Sequence, residues 1–537
     1  MFIQMLFSPR FITLTLFSLA SALLLAVLAL LPPSPILAGL FLVCLAFMLL
    51  GLFDLVQSRH AILRNYPIAA HLRFILEAIR PEMRQYFFED DKFGTPFSRD
   101  KRAIVYQRAK RQLDKRPFGT NYDVYSEGFE WLSHSMAPTA VSDAGFRIDI
   151  GNGARTYSAS LFNISAMSFG ALSPNAIRAL NKGAKLGGFA HDTGEGGYSP
   201  YHREFGGDII WELGSGYFGA RNPDGTFSSD RFTEVAASDQ IKMIEVKLSQ
   251  GAKPGHGGVL PAAKVSAEIS LTRGVPMGQD CISPARHSAF STPKELMHFI
   301  ASLRHLSGGK PTGFKLCVGH EWEFLAICKA MLETGIYPDF IVVDGKEGGT
   351  GAAPLEFIDH IGKPLREGLS FVHNALVGIG ARDRIRVGAS GKIITAFDMV
   401  RAMALGADWC NSARGFMFAL GCIQSQSCHT DRCPTGVATQ DRSRQRALVV
   451  PDKAARVANF HRETLKSLAE LTTAAGLDHP TQFNGSHISR RISPRETQTF
   501  AELYPVIRSG ALVDDAGNSR YGRSWQMASP ESFRPVA

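Results

Sequence analysis

Between Phe11 and Phe53 the chain carries no charged residue, and Pro32-Pro33-Ser34-Pro35 divides that run into two apolar halves. Each half is about 20 residues long, enough to cross the roughly 30 Å of a bilayer's hydrocarbon as a helix. The spacing predicts a transmembrane helical hairpin at the N-terminus. A cleaved signal peptide is the alternative. Against it, the apolar region is too long for an h-region, a second apolar segment follows directly, and only Arg10 precedes the first. The connection between the halves holds no Lys or Arg, whereas Arg10 precedes the hairpin and Arg59, Arg64, Arg73 and Arg80 follow it. Both ends are therefore expected on the cytoplasmic side of the inner (cytoplasmic) membrane, with the large remainder of the chain facing the cytoplasm.

The formal net charge is +9. Most of it falls between residues 56 and 120, where 14 Lys/Arg meet 7 Asp/Glu. A basic stretch just behind an apolar hairpin points to the headgroups of membrane lipid, and no nucleic-acid partner is expected. Hydrophobic residues at 45% and charged residues at 20% exclude a disordered or collagen-like chain. Eight cysteines in so long a chain do not form a disulfide framework. Cys281, Cys317, Cys328 and Cys410 read as small buried thiols.

From about 158 to 440, short β-rich runs alternate with helical stretches. The expected strands are Leu161 to Ala166, Phe189 to His191, Ile209 to Glu212, Met243 to Leu248, Gly313 to Cys317, Phe340 to Val343, Ile385 to Val387 and Ala407 to Asn411. Ser173-Pro174 and Ser291-Thr292-Pro293 read as helix starts between them, with a hydroxyl cap and proline in the first turn. Eight such units favour an α/β fold of the (β/α)8 TIM-barrel kind over an open doubly wound sheet. The expected divisions are a hairpin over 1–57, a basic helical lead-in over 58–155, the barrel over 156–476 and a C-terminal tail over 477–537.

Several strand ends run into glycine-rich loops: Ser168-Phe169-Gly170, Thr193 to Gly197, Gly255 to Gly258, Gly348 to Gly351 and Gly388-Ala389-Ser390-Gly391. Each alone is a tight turn. Together, at the catalytic face of a barrel, they suit close approach to FMN or to a sugar phosphate. Lys253 should project over the barrel mouth and Glu195 lies in another mouth loop, so a cation and a carboxylate are offered to an anionic keto or amino acid. Lys247 and Lys315 sit within apolar strands, where an ammonium needs a partner: the electron-rich end of a flavin, or a buried carboxylate. Cys422, Cys428 and Cys433, followed by Pro434, have the spacing of a loop that wraps an iron-sulfur cluster, and three ligands point to 3Fe-4S. Zinc held by the same thiolates with His429 is the alternative.

Ala166-Met167-Ser168-Phe169-Gly170, Thr193-Gly194-Glu195-Gly196-Gly197, Gln250-Gly251-Ala252-Lys253-Pro254-Gly255, Gly348-Gly349-Thr350-Gly351-Ala352 and Cys422 through Gln440 resemble, in this order, the FMN-binding synthase domain of glutamate synthase. The resemblance spans about 155 to 470. It implies a barrel that binds FMN and a 3Fe-4S cluster and aminates 2-oxoglutarate reductively with ammonia to L-glutamate. It further implies that Glu195, Gln250 and Lys253 contact the substrate and that Cys422, Cys428 and Cys433 hold the cluster. Ala166, Met167, Ser168, Lys247, Lys315, Gly348, Gly349, Thr350, Gly388, Ser390 and Gly391 fall where the family holds flavin.

No amidotransferase domain is read before the barrel, so ammonia is expected free or from a separate glutaminase. Ferredoxin or a separate reductase subunit is the expected electron donor, because no second dinucleotide fingerprint is present. His256 and Ser283 to His287 depart from the family pattern. They motivate a second reading, a membrane-linked FMN and iron-sulfur oxidoreductase acting on a different amine or 2-oxo acid.

Overall fold

The computed structural model describes residues 8–32, 34–141 and 144–536, in two compact units that divide between Phe93 and Gly94. Pro33 of the expected turn lies outside the described residues.

In the first unit, α1 (Ile12–Leu30) and α2 (Pro35–Val56) form an antiparallel pair, with Phe17 stacked on Phe47 at 4.8 Å. Proline opens α2 in its first turn, where its missing N–H costs nothing. Both helices are long and apolar enough to cross a membrane, and most of their surface is exposed. Beyond α2 the chain folds back. The fully buried Asp54 carboxylate accepts the Ile68 N–H and bonds His71 Nε2, both at 2.9 Å, and Thr13 Oγ1 donates to the Pro67 carbonyl at 2.7 Å. His71 begins α3 (His71–Met83).

In the second unit, eight parallel strands close into a barrel: β1 (Phe162–Ile164), β2 (His191–Asp192), β3 (Ile209–Leu213), β4 (Ile241–Lys247), β5 (Thr312–Leu316), β6 (Phe340–Asp344), β7 (Arg386–Ser390) and β8 (Trp409–Ser412). Closure is made by β8 against β1, where Cys410, Asn411 and Ser412 pair with Phe162, Asn163 and Ile164. These are the eight strands expected, with shifted ends. Phe189 packs its ring on His461 at 3.9 Å and stays outside β2. In turn, β7 runs on through Gly388, Ala389 and Ser390 because they pair with Trp409, Cys410 and Asn411.

The helix starts also match. The Ser173 side chain accepts the Ala176 N–H at 3.2 Å before α5 (Pro174–Gly187), and Thr292 with Glu295 forms a capping box before α6 (Pro293–Leu306). A helix from the lead-in, α4 (Arg99–Ala109), packs on the long α7 (Val450–Ala474), with Arg108 Nη2 donating to Ser467 Oγ at 2.7 Å. The tail is more than a polar end. Its hairpin, Ile488–Ser493 with Glu496–Thr499, takes Glu130–Leu132 of the lead-in as a third antiparallel strand.

Candidate active site

TIM barrels usually fill their interior with branched aliphatic side chains. Here five neighbouring strands instead supply ionisable groups, all buried except the partly buried Asp344: Asp192 ends β2, Glu212 lies in β3, Glu245 in β4, Lys315 in β5, and Asp344 ends β6. The Lys315 ammonium bonds Glu212 and stands 3.0 Å from Glu245 Oε1 and 3.8 Å from Asp192 Oδ2. Asp344 accepts the Gly251 N–H at 2.7 Å and the Ser390 hydroxyl. One ammonium cannot neutralise three buried carboxylates and a partly buried fourth, so protons must remain on some of them. Burial pushes Asp192 and Asp344 up and raises Glu245 to about 7, with Glu212 adding to the rise at Glu245. Burial opposes the charge on Lys315 too, yet Glu212, Glu245 and Asp192 together hold it well above the ordinary lysine value. Asp192, Glu212 and Glu245 bring oxygens within 4.8 Å of one another, but the Lys315 ammonium already sits among them.

Above this floor lies a cavity of about 1210 Å³, counting its open mouth. Glu195 stands in a short helical turn after β2 and takes an ion pair from Lys247 Nζ at 2.9 Å. Burial would raise Glu195. Lys247, and then Lys253 and Arg273, outweigh it and hold the carboxyl at about 2. Gly258 leaves room for this carboxylate, since a Cβ on it would stand 1.9 Å from Glu195 Oε1 and push it aside. Lys253 is buried rather than projecting free over the mouth. Its Nζ donates to the Ala352 carbonyl at 3.1 Å, and burial brings its value down to about 8.

Glu195, Gln250 and Lys253 all line the cavity, as do Ala166, Met167, Ser168, Lys247, Lys315, Gly348, Gly349, Thr350, Ser390 and Gly391. Gly388 is not among the lining residues: a Cβ there would stand 2.5 Å from the Trp409 ring, so its bareness serves strand packing. Both Lys247 and Lys315 have carboxylate partners, the second of the two readings of these lysines, and both also line the cavity.

Cys428 lines the cavity, while Cys422 and Cys433 are buried beside it. The loop that carries them holds Gln424, Gln426 and Asp431 at φ of 59°, 56° and 62°, a left-handed conformation that persists in such residues only when neighbours enforce it. The enforcement comes from the lead-in and from the loop's own end. Tyr106 OH donates to the Cys422 carbonyl at 2.6 Å, Gln424 exchanges two bonds of 3.2 Å with the Phe97 backbone, and Asp431 accepts the Gln440 N–H at 2.7 Å. Burial would raise Cys433. The Thr435 hydroxyl and the N–H groups of Ala438, Thr435 and Val437 outweigh it and lower its value, while burial raises Cys422.

Sequence reasoning missed several lining groups: Glu212 and Asp344 on the floor, Arg273 near Ser168, and Lys392 and Arg414 at the ends of β7 and β8. Arg414 also donates to the Thr350 carbonyl at 2.5 Å. The fully enclosed Lys264, whose Nζ bridges the Ala171 and Ala438 carbonyls at 3.0 Å each, was missed as well.

The conserved region of glutamate synthases matches residues 150–478. The chain belongs to the glutamate synthase family. Membership places it among oxidoreductases that act on CH–NH2 donors. The glutamate synthase large subunit-like protein YerD of Bacillus subtilis is 38% identical over 481 residues, covering 82% of this chain and 91% of that protein. The archaeal glutamate synthase [NADPH] of Methanocaldococcus jannaschii is 36% identical over 324 residues, 60% of each chain. This chain thus spans about three fifths of the archaeal relative's length. Among solved structures, a flavocytochrome b2 variant with pyruvate bound superimposes with a TM-score of 0.42 at 13% identity, over 83% of this chain and 90% of that one.

Proposed function

We propose that this glutamate synthase family member condenses 2-oxoglutarate with ammonia and reduces the product to L-glutamate in a cavity that holds FMN. The observation that carries the proposal is the mouth of that cavity, where a partly buried, ionised Glu195 faces Lys247 and Lys253. The walls suit a flavin. Gly349 leaves the Arg414 guanidinium the space a Cβ would fill at 2.8 Å, and Gly194 at φ 59° lets its turn close on the Met167-Ser168 backbone. Lys315 offers a cation on the floor, and Lys392 and Arg414 offer two more where barrels hold phosphate, after the seventh and eighth strands. When bound, FMN supplies the hydride chemistry.

The chain's own groups do the rest. Lys253 and Arg273 hold the carboxylates of a 2-oxo diacid, and Gln250 orients it. Glu195, kept anionic, holds ammonium or the iminium cation. Lys253, brought down to about 8 by burial and still largely protonated at neutral pH, gives its proton to the oxygen that leaves as water when the ammonia adduct closes to the imine, and takes back the proton that the attacking ammonia sheds.

Cys422, Cys428 and Cys433 are proposed to hold a 3Fe-4S cluster. The bonds around Cys433 favour its thiolate, and Cys428 puts such a centre at the cavity wall. Electrons would come from ferredoxin or a separate reductase subunit and ammonia from solution or a separate glutaminase. The hairpin would hold the enzyme at the inner membrane with its barrel in the cytoplasm.

The test is anaerobic. With the full chain in detergent and its flavin reduced, adding 2-oxoglutarate and ammonium should yield glutamate equal to the flavin reoxidised. Retained flavin that ignores both would overturn the substrate and leave a different amine or 2-oxo acid. Lys253→Ala should keep the flavin yet slow reoxidation by about 100-fold or more, and an unchanged rate removes Lys253 from the mechanism. Cys428→Ser should cost iron per chain, and wild-type iron content overturns the cluster.

A further inference from the structure

The helix α3 lies outside everything assigned so far. None of its residues is buried, yet Leu72, Ile75, Leu76, Ile79 and Met83 recur at helical spacing along one face. Arg73, Glu77 and Arg80 lie on the other side with Phe74, whose ring meets that of His60 at 5.2 Å, and Arg73 pairs with Glu77 at 3.1 Å. The turn that follows, Arg84–Phe88, adds Tyr86, Phe87 and Phe88, the last two exposed to 73% and 76%. So large an apolar stripe in water needs a covering.

Its start is fixed. Asp54 lies in the last turn of α2 and bonds His71, the first residue of α3, while Thr13 and Arg10 at the start of α1 reach Pro67 and Asn65 at 2.7 and 3.4 Å. These bonds hold the beginning of α3 at the level where both spans end.

We propose that α3 and the aromatic turn after it form an interfacial membrane helix, lying in the plane of the headgroups with the apolar stripe against lipid. The inference rests on the reading of α1 and α2 as spans. At the level where those spans end the surrounding medium is the headgroup boundary, which favours amphipathic helices and the rings of tyrosine and phenylalanine. Three arginines against two glutamates between His71 and Phe88 leave little net charge. Apolar burial therefore drives the contact, and it should persist when salt is raised.

The test uses the full chain in phosphatidylcholine–phosphatidylglycerol vesicles, with a photoreactive benzophenone amino acid replacing Leu76, Phe87, Glu77 or, on α1, Leu23. Irradiation should attach lipid at 76 and 87 as it does at 23, at about tenfold the yield at 77, with no loss in high salt. Lipid at 23 but protein adducts at 76 and 87 would overturn the interfacial helix alone and assign its face to a second copy or to the barrel unit. No lipid at 23 would overturn the spanning reading and this inference with it.

Discussion

Glu195 at the cavity mouth and Glu245 on its floor are both enclosed, yet Glu195 is held at about 2 and Glu245 is raised to about 7. Burial acts on both in the same direction. What separates them is the ratio of charges around each. Glu195 faces Lys247, Lys253 and Arg273, whereas Glu245 shares the Lys315 ammonium with Glu212 and Asp192 and has Asp344 nearby. The mouth is built to keep an anion and the floor to keep a proton. Two carboxylates of one barrel thus acquire opposite states by the company that neighbouring strands provide.

The comparison breaks most severely at Lys315. Lys315→Met leaves the floor's carboxylates without a counter-charge and should destabilise the barrel by about 3–5 kcal/mol, read as a lower unfolding midpoint or loss of soluble barrel; an unchanged midpoint would show that the floor is already neutral. Breaking the mouth should cost the chemistry first. Glu195→Gln removes the anion and should lower the rate of glutamate formation by about 100-fold or more, with flavin retained; because the folded value of about 2 lies below the ordinary 4.5, it should also forfeit up to about 3 kcal/mol of stability at pH 7, a loss that disappears as pH falls through about 2.

Glu245→Gln sharpens the contrast with the smallest effect. Because the folded value of Glu245 lies above its ordinary value of 4.5, the native state binds more protons than the unfolded one. Wild-type stability therefore falls as pH rises from about 4.5 through about 7, by up to about 3 kcal/mol from this group. The glutamine variant should lose that slope and gain on the wild type above pH 7. Parallel stability curves from pH 5 to 8 would remove Glu245 from the proton-holding floor.

The barrel was legible because each strand is a compact apolar run with a helix start behind it, as at Ser173 and Thr292. Its ends were less so, since the limits of β2 and β7 depend on what Phe189 and Trp409 pack against. The mouth loops could be read because Glu195, Gln250 and Lys253 each sit in a local motif. The floor could not: Asp192, Glu212, Glu245 and Asp344 come from four strands, and no spacing along the chain records that β5 inserts Lys315 among them. The same holds for the lead-in, whose Tyr106 and Phe97 brace the cysteine loop across more than 300 positions.

The three-stranded sheet also sets a timetable for synthesis. Trp131 pairs with Ser489, roughly 360 residues later in the chain. At about 5–20 residues per second, Glu130–Leu132 leaves the ribosome about 20–70 s before its partner exists. Through that interval the nascent chain carries an open β edge, and only the arrival of Ile488–Ser493 covers it.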